Sequence, residues 1–500
     1  MEKKEHKTSL LSNYIYSLVS QLLALIAPMI TAPYLARTLH EVGNGQIAFV
    51  NSIVAYFASF AGFGFSLYGQ REVAKNKDNQ NSINEIFCEL LWLRMIFSII
   101  SFYILIMLIV SPIIESKYKT LVLINSIQIV SVVVDIQFYY QGMEEFKALA
   151  IRTILIRTIS IVCVFLFVRN QDDVWVYLLY TSLATLIANL IMWPGVIKRI
   201  DFIPIKLASL TRHIVPSFFI FLPILSGTIF SVLDSTMIGY LATNPEYENG
   251  CYGSALKLIN IVSVIIMADG QVLASRNARD YAIDDKKSIK KHVNLGFTYV
   301  WLVGLPIAVG LLLLSGRISN WFFGNGYEKV PWLLRVFTIR ILTHGVINVI
   351  GNQYLLPTGR EKVCTKANFV GIGANILLNI LFIPEFGCIG AAIASVVSES
   401  ILISLYLGYF IKEKKYWSSS ILTNSYKYII AAFIMAIPVY ILNIIMRHNF
   451  VSMCIIILSG MMMYSLSLIL MKDSIVIEYG QSYLKKTMGR IIYVNKKHNE

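Results

Sequence analysis

LLWLRMIFSIISFYILIMLIV, residues 90–110, is twenty-one residues long and carries a single charge, Arg94. A helix of that length rises about 1.5 Å per residue and so crosses the roughly 30 Å hydrocarbon core of a bilayer. The pattern recurs along the whole chain. Apolar stretches of about twenty residues centre near Leu22, Ala58, Ile99, Val130, Ile159, Leu183, Leu225, Val264, Leu305, Val346, Ile376, Val396, Met435 and Leu458, which predicts an all-α integral membrane protein with about fourteen spans. Composition agrees: 56% of the residues are hydrophobic and 14% charged, whereas soluble domains carry about 25% charge. A soluble enzyme of 500 residues is excluded.

The net charge of +14 is distributed by loop. With the amino terminus in the cytoplasm, the inner segments carry Lys3, Lys4 and Lys7, then Arg71, Lys75 and Lys77, then Lys147 and Arg152, then Lys198, Arg199, Lys206 and Arg212, then Arg276, Arg279, Lys286, Lys287, Lys290 and Lys291. Further on come Arg360, Lys362 and Lys366, then Lys412, Lys414, Lys415 and Lys427, and the tail residues Lys472, Lys485, Lys486, Arg490, Lys496 and Lys497. The outer loops hold only Arg37, Lys117, Lys119, Arg169, Arg317, Lys329 and Arg447. The asymmetry, about four to one, predicts that both termini are cytoplasmic. Basic residues scattered over many loops, with no recognition motif, argue against nucleic acid as a partner. The first apolar stretch is too long for a cleavable signal peptide and no A-x-A-like site follows it. The six cysteines form no C-x-x-C pair and read as small apolar fillers.

The chain repeats itself. Tyr34-Leu35-Ala36, Gly43, Ala48 and Arg71 are echoed by Tyr240-Leu241-Ala242, Gly250, Ala255 and Arg276, at an offset near 206. Each half then holds six spans, so both enter the membrane from the same side and are related by an axis along its normal. This predicts an N-lobe over 1–206 (spans 1–6) and a C-lobe over 207–411 (spans 7–12) around a central cleft. Two extra spans over 412–472 and a basic cytoplasmic tail over 473–500 follow. A transporter is the natural product of this layout.

Ionisable groups within a span cost about 2.5–3.5 kcal/mol each on insertion scales, so they face a wet interior or a partner and mark candidate pathways. In the tenth span Arg340, His344, Asn348 and Asn352 recur every fourth residue, which stacks them along one side of a helix. Asn125, Gln128, Ser131, Asp135 and Tyr139 do the same in the fourth span; Asn13, Ser17, Ser20, Gln21 and Thr31 do so in the first, where Pro28 interrupts the ladder. Arg94 lies in the third span, Asp234 in the seventh, and Lys257 and Asp269 in the eighth. The candidate substrate path is therefore Arg340, His344, Asn348, Asp135, Gln128, Asn13, Gln21, Lys257 and Arg94. The carboxylates Asp135, Asp234, Asp269 and Glu399 are candidates for ion coupling, and Asp135 or Asp234 for the counter-ion of Arg340. The Asn, Ser and Gln members serve equally well as bonds between helices, and Arg157 and Arg335 read as snorkelling to the cytoplasmic and outer interfaces. More cations than carboxylates suit an anionic cargo, and the arginine fork suits phosphate in particular. No ATP-binding loop and no catalytic or metal-binding motif occurs, so neither an enzyme nor a cofactor is expected.

Thr31-Ala32-Pro33-Tyr34-Leu35-Ala36-Arg37, followed by Gly43 and by Tyr68-Gly69-Gln70-Arg71-Glu72-Val73-Ala74, resembles the opening of the bacterial polysaccharide flippases of the Wzx type. Asn375-Ile376-Leu377-Leu378-Asn379, Ile383-Pro384-Glu385-Phe386-Gly387, Gly390-Ala391-Ala392-Ile393-Ala394 and Glu399 are similar to that family's eleventh and twelfth spans. Physically, Pro384 and Gly387 suit a tight turn, while Gly390, Ala394 and Ser398 form a small-xxx-small packing face. The resemblance, over nearly the whole chain, implies a member of the multidrug/oligosaccharidyl-lipid/polysaccharide exporter superfamily working by alternating access in the bacterial plasma membrane. It implies as cargo an undecaprenyl-diphosphate-linked oligosaccharide repeat unit for O-antigen, capsule or exopolysaccharide, with glycosyltransferases and a polysaccharide polymerase as neighbours. Coupling to an H⁺ or Na⁺ gradient or to the membrane potential is left open. The alternatives are a multidrug/cation antiporter of the related multidrug-extrusion family and a membrane polysaccharide polymerase.

Overall fold

The computed structural model describes residues 26–413, 425–473 and 476. Asn13, Gln21 and the first half of the first predicted span lie outside the described residues; residues 26–38 are helical. Among the described residues thirteen helical stretches are long and apolar enough to cross a membrane, from His40–Lys75 to Phe450–Leu470. They coincide with the second to the fourteenth predicted spans. The chain is a multi-pass membrane protein, and its surface shows why. Ile99, Tyr103, Met107 and Val110, at helical spacing on the helix Gln80–Val110, expose apolar side chains that only lipid can cover.

Helix ends are set by local chemistry. The Asn79 side chain accepts from the Ser82 N–H at 3.2 Å and starts Gln80–Val110; Asn449 accepts from Ser452 N–H at 2.8 Å and starts Phe450–Leu470. Gly387, at φ +57°, is the single residue between Glu361–Phe386 and Cys388–Lys412, as the predicted turn required. Pro384 sits inside the last turn of the first of these helices, not in the turn itself. Gly390 then lets the two helices touch: a Cβ there would stand 2.3 Å from the Phe382 carbonyl oxygen.

Two compact units gather discontinuous stretches of chain. One holds the chain up to Ile261 with Phe322–Leu333 and Cys364–Ser398; the other holds Val262–Trp321, Leu334–Val363 and the chain from Glu399. In the first unit, aromatic packing around Phe63, Phe65, Phe87 and Phe138 forms one core and Leu39, Val50, Val54 and Val122 belong to another. In the second, Ser425–Ile445 and Phe450–Leu470 pack as a pair around Tyr428, Met435, Ile456 and Tyr464, with Leu314 among them. Arg317 pins this pair by donating to the carbonyl oxygens of Asn443, Met446 and Arg447 at 2.7–2.9 Å. The second unit also holds two π-helical segments, Val300–Gly304 and Asn348–Leu355, a geometry that concentrates at functional sites.

The repeat becomes visible as a contact inside the first unit. Glu41-Val42-Gly43-Asn44-Gly45 opens the helix His40–Gly62, and Glu246-Tyr247-Glu248-Asn249-Gly250 opens Pro245–Ile266. The two helices cross backbone to backbone. A Cβ on Gly45 would stand 1.8 Å from the Glu246 carbonyl oxygen, and one on Gly250 would stand 1.9 Å from the Glu41 carbonyl oxygen. The two contacts exchange places under an offset of 205 (246 less 41, 250 less 45), so the crossing carries the repeat's own symmetry. Gly45→Ala and Gly250→Ala should each lower the thermal stability of the detergent-solubilised protein by at least about 1–3 kcal/mol. Gly227→Ala, with nothing within 4 Å of its new Cβ, should be neutral or raise stability by up to about 1 kcal/mol.

Candidate functional site

The helix Phe146–Phe167 carries Thr153, Arg157 and Ser160 at four- and three-residue spacing, with Arg152 beside Thr153, which gathers them on one side. That face, with residues 27–35 and the helix Val174–Leu190, encloses a cavity of about 550 Å³ in the first unit. Tyr177, Tyr180 and Thr181 line its other wall, and Lys257 also reaches it. Three cations therefore meet hydroxyls and aromatic rings, and no carboxylate lies among the described lining residues. Arg152 is held in place: its Nε donates to the Ala188 carbonyl at 3.0 Å and an Nη to Asn189 Oδ1 at 2.5 Å. Lys257 Nζ donates to Asn44 Oδ1 at 3.2 Å, while Asn44 is fixed by donating to the carbonyls of Leu35 and His40. Arg157 makes no hydrogen bond or ion pair among the described residues. A guanidinium in a span, facing a cavity without a counter-ion, is poised for an anionic ligand. Arg157, expected above to snorkel, is exposed, and its face is part of the cavity wall. The sequence held the signal in the basic and hydroxyl stripe 152, 153, 157, 160, which reading each arginine singly hid.

The other candidates are engaged within the protein. Arg94, fully buried, donates to the Asp135 backbone carbonyl and, at 2.8 Å, to Ser66 Oγ, with the Asp135 carboxylate at 3.5 Å and the Phe138 ring at 4.9 Å. Gln128 Nε2 donates to Asn125 Oδ1 at 2.7 Å; Asn125 donates to Asn51 Oδ1 and accepts from Ser182, so this stripe ties three helices together. Asp234, buried, collects four donors: Tyr252 Oη and Ser395 Oγ on Oδ2, and Asn379 and Asn375 Nδ2 on Oδ1 at 2.7 and 3.2 Å. The carboxylate is thereby fully solvated by protein, without a cation.

In the second unit Arg340 Nε lies 2.8 Å from Glu399 Oε1, Thr343 Oγ1 donates to Glu399 Oε2 at 2.7 Å, and His344 Nε2 stands 3.3 Å from Oε1. Ser263 Oγ closes the set on His344 Nδ1 at 3.1 Å. The carboxylate that balances Arg340 is thus Glu399, while Asp135 and Asp234 serve the other groups just described. The physical reason is register: Thr343 and His344 lie one turn from Arg340, and all three meet Glu399. The stripe's lower half behaves differently, because Asn348 and Asn352 fall in the π-helical segment and bond each other at 3.2 Å. Arg335 Nε donates to Ser315 Oγ at 3.1 Å. No group of His, Cys, Asp or Glu suited to a metal ion occurs among the described residues.

A bundle of membrane spans with buried ionisable clusters and a basic cavity defines a membrane transporter fold. The chain is similar to the lipid II flippase MurJ in an inward closed conformation, with a TM-score of 0.66 at 18% identity, covering 93% of this chain and 99% of that one. It is also similar to a MATE family multidrug resistance transporter of the MOP superfamily in its inward-facing conformation, with a TM-score of 0.62 at 11% identity, covering 79% and 94%. The chain belongs to the polysaccharide biosynthesis protein family, whose pattern matches residues 10–274, just over half its length. A relative from Escherichia coli K12, named "Putative O-antigen transporter", is 25% identical over 418 residues, 82% of this chain and 98% of its own.

Breaking the Arg340–Glu399 pair from one side should cost roughly 3–5 kcal/mol, because it strands a buried charge. In thermal unfolding, Glu399→Leu alone should therefore be the less stable protein, and adding Arg340→Met should recover most of the loss.

Proposed function

We propose that this protein is a flippase that moves lipid-linked oligosaccharide repeat units from the cytoplasmic to the outer leaflet of the bacterial plasma membrane. The observation that carries this reading is the cavity lined by Arg152, Arg157 and Lys257, with no carboxylate among its described lining residues. Its cations suit a diphosphate headgroup and its Tyr177, Tyr180 and hydroxyls suit sugar. A cavity of about 550 Å³ takes a headgroup and a few sugar units, while a polyprenyl tail remains in the bilayer. Membership in the polysaccharide biosynthesis family and the likeness to a relative named for O-antigen transport support the same reading.

In this scheme the lobes 1–206 and 207–411 alternate in opening the cleft, with both termini cytoplasmic as the loop charges predict. The cargo is an undecaprenyl-diphosphate-linked unit, assembled by glycosyltransferases and consumed by a polymerase. Export of each negative charge gains about 2.3 kcal/mol per 100 mV of inside-negative potential, and the carboxylates Asp234, Asp135, Asp269 and Glu399 are the candidates for coupling to H⁺ or Na⁺. Arg340, His344, Asn348 and Gln128 keep their place as candidates along the path.

The test is made in the host cell. Deleting the gene should cause single finished undecaprenyl-diphosphate repeat units to accumulate, and the parent protein should clear them. Arg157→Lys should retain part of that activity and Arg157→Glu should lose it. Unchanged lipid pools together with altered sensitivity to cationic drugs would replace the flippase by a drug antiporter.

A further inference from the structure

Between the spans Pro245–Ile266 and Lys286–Phe322 the chain breaks at 267–269 and restarts as the helix Gly270–Ala282, so Asp269, placed above in the eighth span, lies just past its end. This joint packs on the π-helical segment Asn348–Leu355, and two glycines make the fit. A Cβ on Gly270 would stand 2.9 Å from the Asn348 amide, and one on Gly296 would stand 2.5 Å from Gln353 Oε1. At the joint Gln353 Nε2 donates to Asp269 Oδ1 at 3.2 Å, and Asn277 Nδ2 donates to the Gln353 carbonyl at 2.6 Å. Gln353 is fully buried. Two oxygens at this place lack any donor among the described residues: Asp269 Oδ2 and Gln353 Oε1.

Those oxygens belong to the two side chains that the Nε2–H···Oδ1 bond already joins. A carboxylic acid and a primary amide pair through two bonds, N–H to one carboxyl oxygen and O–H from the other to the amide oxygen; a carboxylate makes only the first and sets its second oxygen against the amide oxygen. Flipping the Gln353 amide changes nothing, since either orientation offers one donor and one acceptor to the carboxyl group. We propose that Asp269 and Gln353 form a proton-binding site, in which one proton on Asp269 Oδ2 is donated to Gln353 Oε1 and closes the joint between Pro245–Ile266 and Gly270–Ala282. When the proton leaves, the donor left at hand is Asn348 Nδ2, which also lacks a partner among the described residues. Proton loss thus trades a Gln353 contact for an Asn348 contact across the joint.

Burial raises the Asp269 carboxyl to about 6 against the opposing pull of the Gln353 donor, which puts the exchange within the cellular pH range. Of the ionisable groups on the packed elements, Tyr299 stands close enough to feel the Asp269 charge and donates to the Ile265 carbonyl at 3.0 Å. The others pair elsewhere: His292 with Asp280 at 3.3 Å, Arg279 with Asp280 at 3.1 Å, and Tyr354 donates to Glu413. Arg276 and Lys291 act on His292. The site concerns the ion side of the proposed transport cycle and rests on that reading for its purpose, not for its chemistry.

Infrared difference spectroscopy of the purified protein in lipid nanodiscs tests it without any transport assay. The parent should show the C=O stretch of a protonated carboxylic acid that titrates with a midpoint near pH 6 and is missing in Asp269→Asn. Asn is the neutral stand-in that keeps both bonds to Gln353, so this variant should also melt higher than the parent at pH 8, with the gap narrowing as the pH falls and closing below about pH 4, the value of the unfolded carboxyl. The sign follows from a raised carboxyl: the fold favours the acid form, and that preference is lost as pH rises through the folded value. Gln353→Leu should move the acid band to the frequency of a carbonyl without a hydrogen bond. A band unchanged in Asp269→Asn, or one that does not move in Gln353→Leu, overturns the site. Failure of the flippase assay with an intact titration would overturn only the transport reading.

Discussion

Hydrocarbon offers a charged group nothing, and that constraint organises this molecule more than any single packing contact. Each buried charge is either matched or put to use. Arg94 is matched by Asp135, a ring face and backbone carbonyls; Arg340 is matched by Glu399; Asp234 is matched by two amides and two hydroxyls instead of a cation. Against that background the cations around one cavity of the first unit stand out, because no carboxylate is among the described residues of their wall.

The matched groups also explain how helices of nearly uniform greasiness find one another. Lipid tails are as apolar as leucine, so apolar surface alone gives helices little reason to prefer each other to the bilayer. Close backbone approach and polar bonds supply that preference here. Gly390 against Phe382, Gly45 against Glu246 and Gly250 against Glu41 bring backbones together. The Asn125, Asn51, Gln128 and Ser182 network then fixes which helices meet and in what register.

The fold was legible in the sequence because spans advertise themselves: twenty apolar residues and a short polar loop read the same way in isolation as in the bundle. The partnerships were less legible. Asp135 and Asp234 were sensible counter-ions for Arg340 by depth, but depth does not tell which helix lies beside which, and Glu399 was the group opposite. The π-helical turn at Asn348 broke a stripe that looked continuous at a spacing of four. Arg157 was visible as a residue and invisible as a site, since its meaning comes from Tyr177, Tyr180 and Lys257, which reach it from distant parts of the chain.

Where His40–Gly62 crosses Pro245–Ile266, Gly45 and Gly250 bring backbone against backbone. Side chains are the compliant part of a protein interface; they swing, compress and repack, and so let helices drift apart by degrees. At Gly45 and Gly250 there is no such cushion, so the approach of these two backbones leaves little slack. A larger residue at position 45 would press on Glu246 and one at 250 on Glu41, so the two segments set the same size limit on each other.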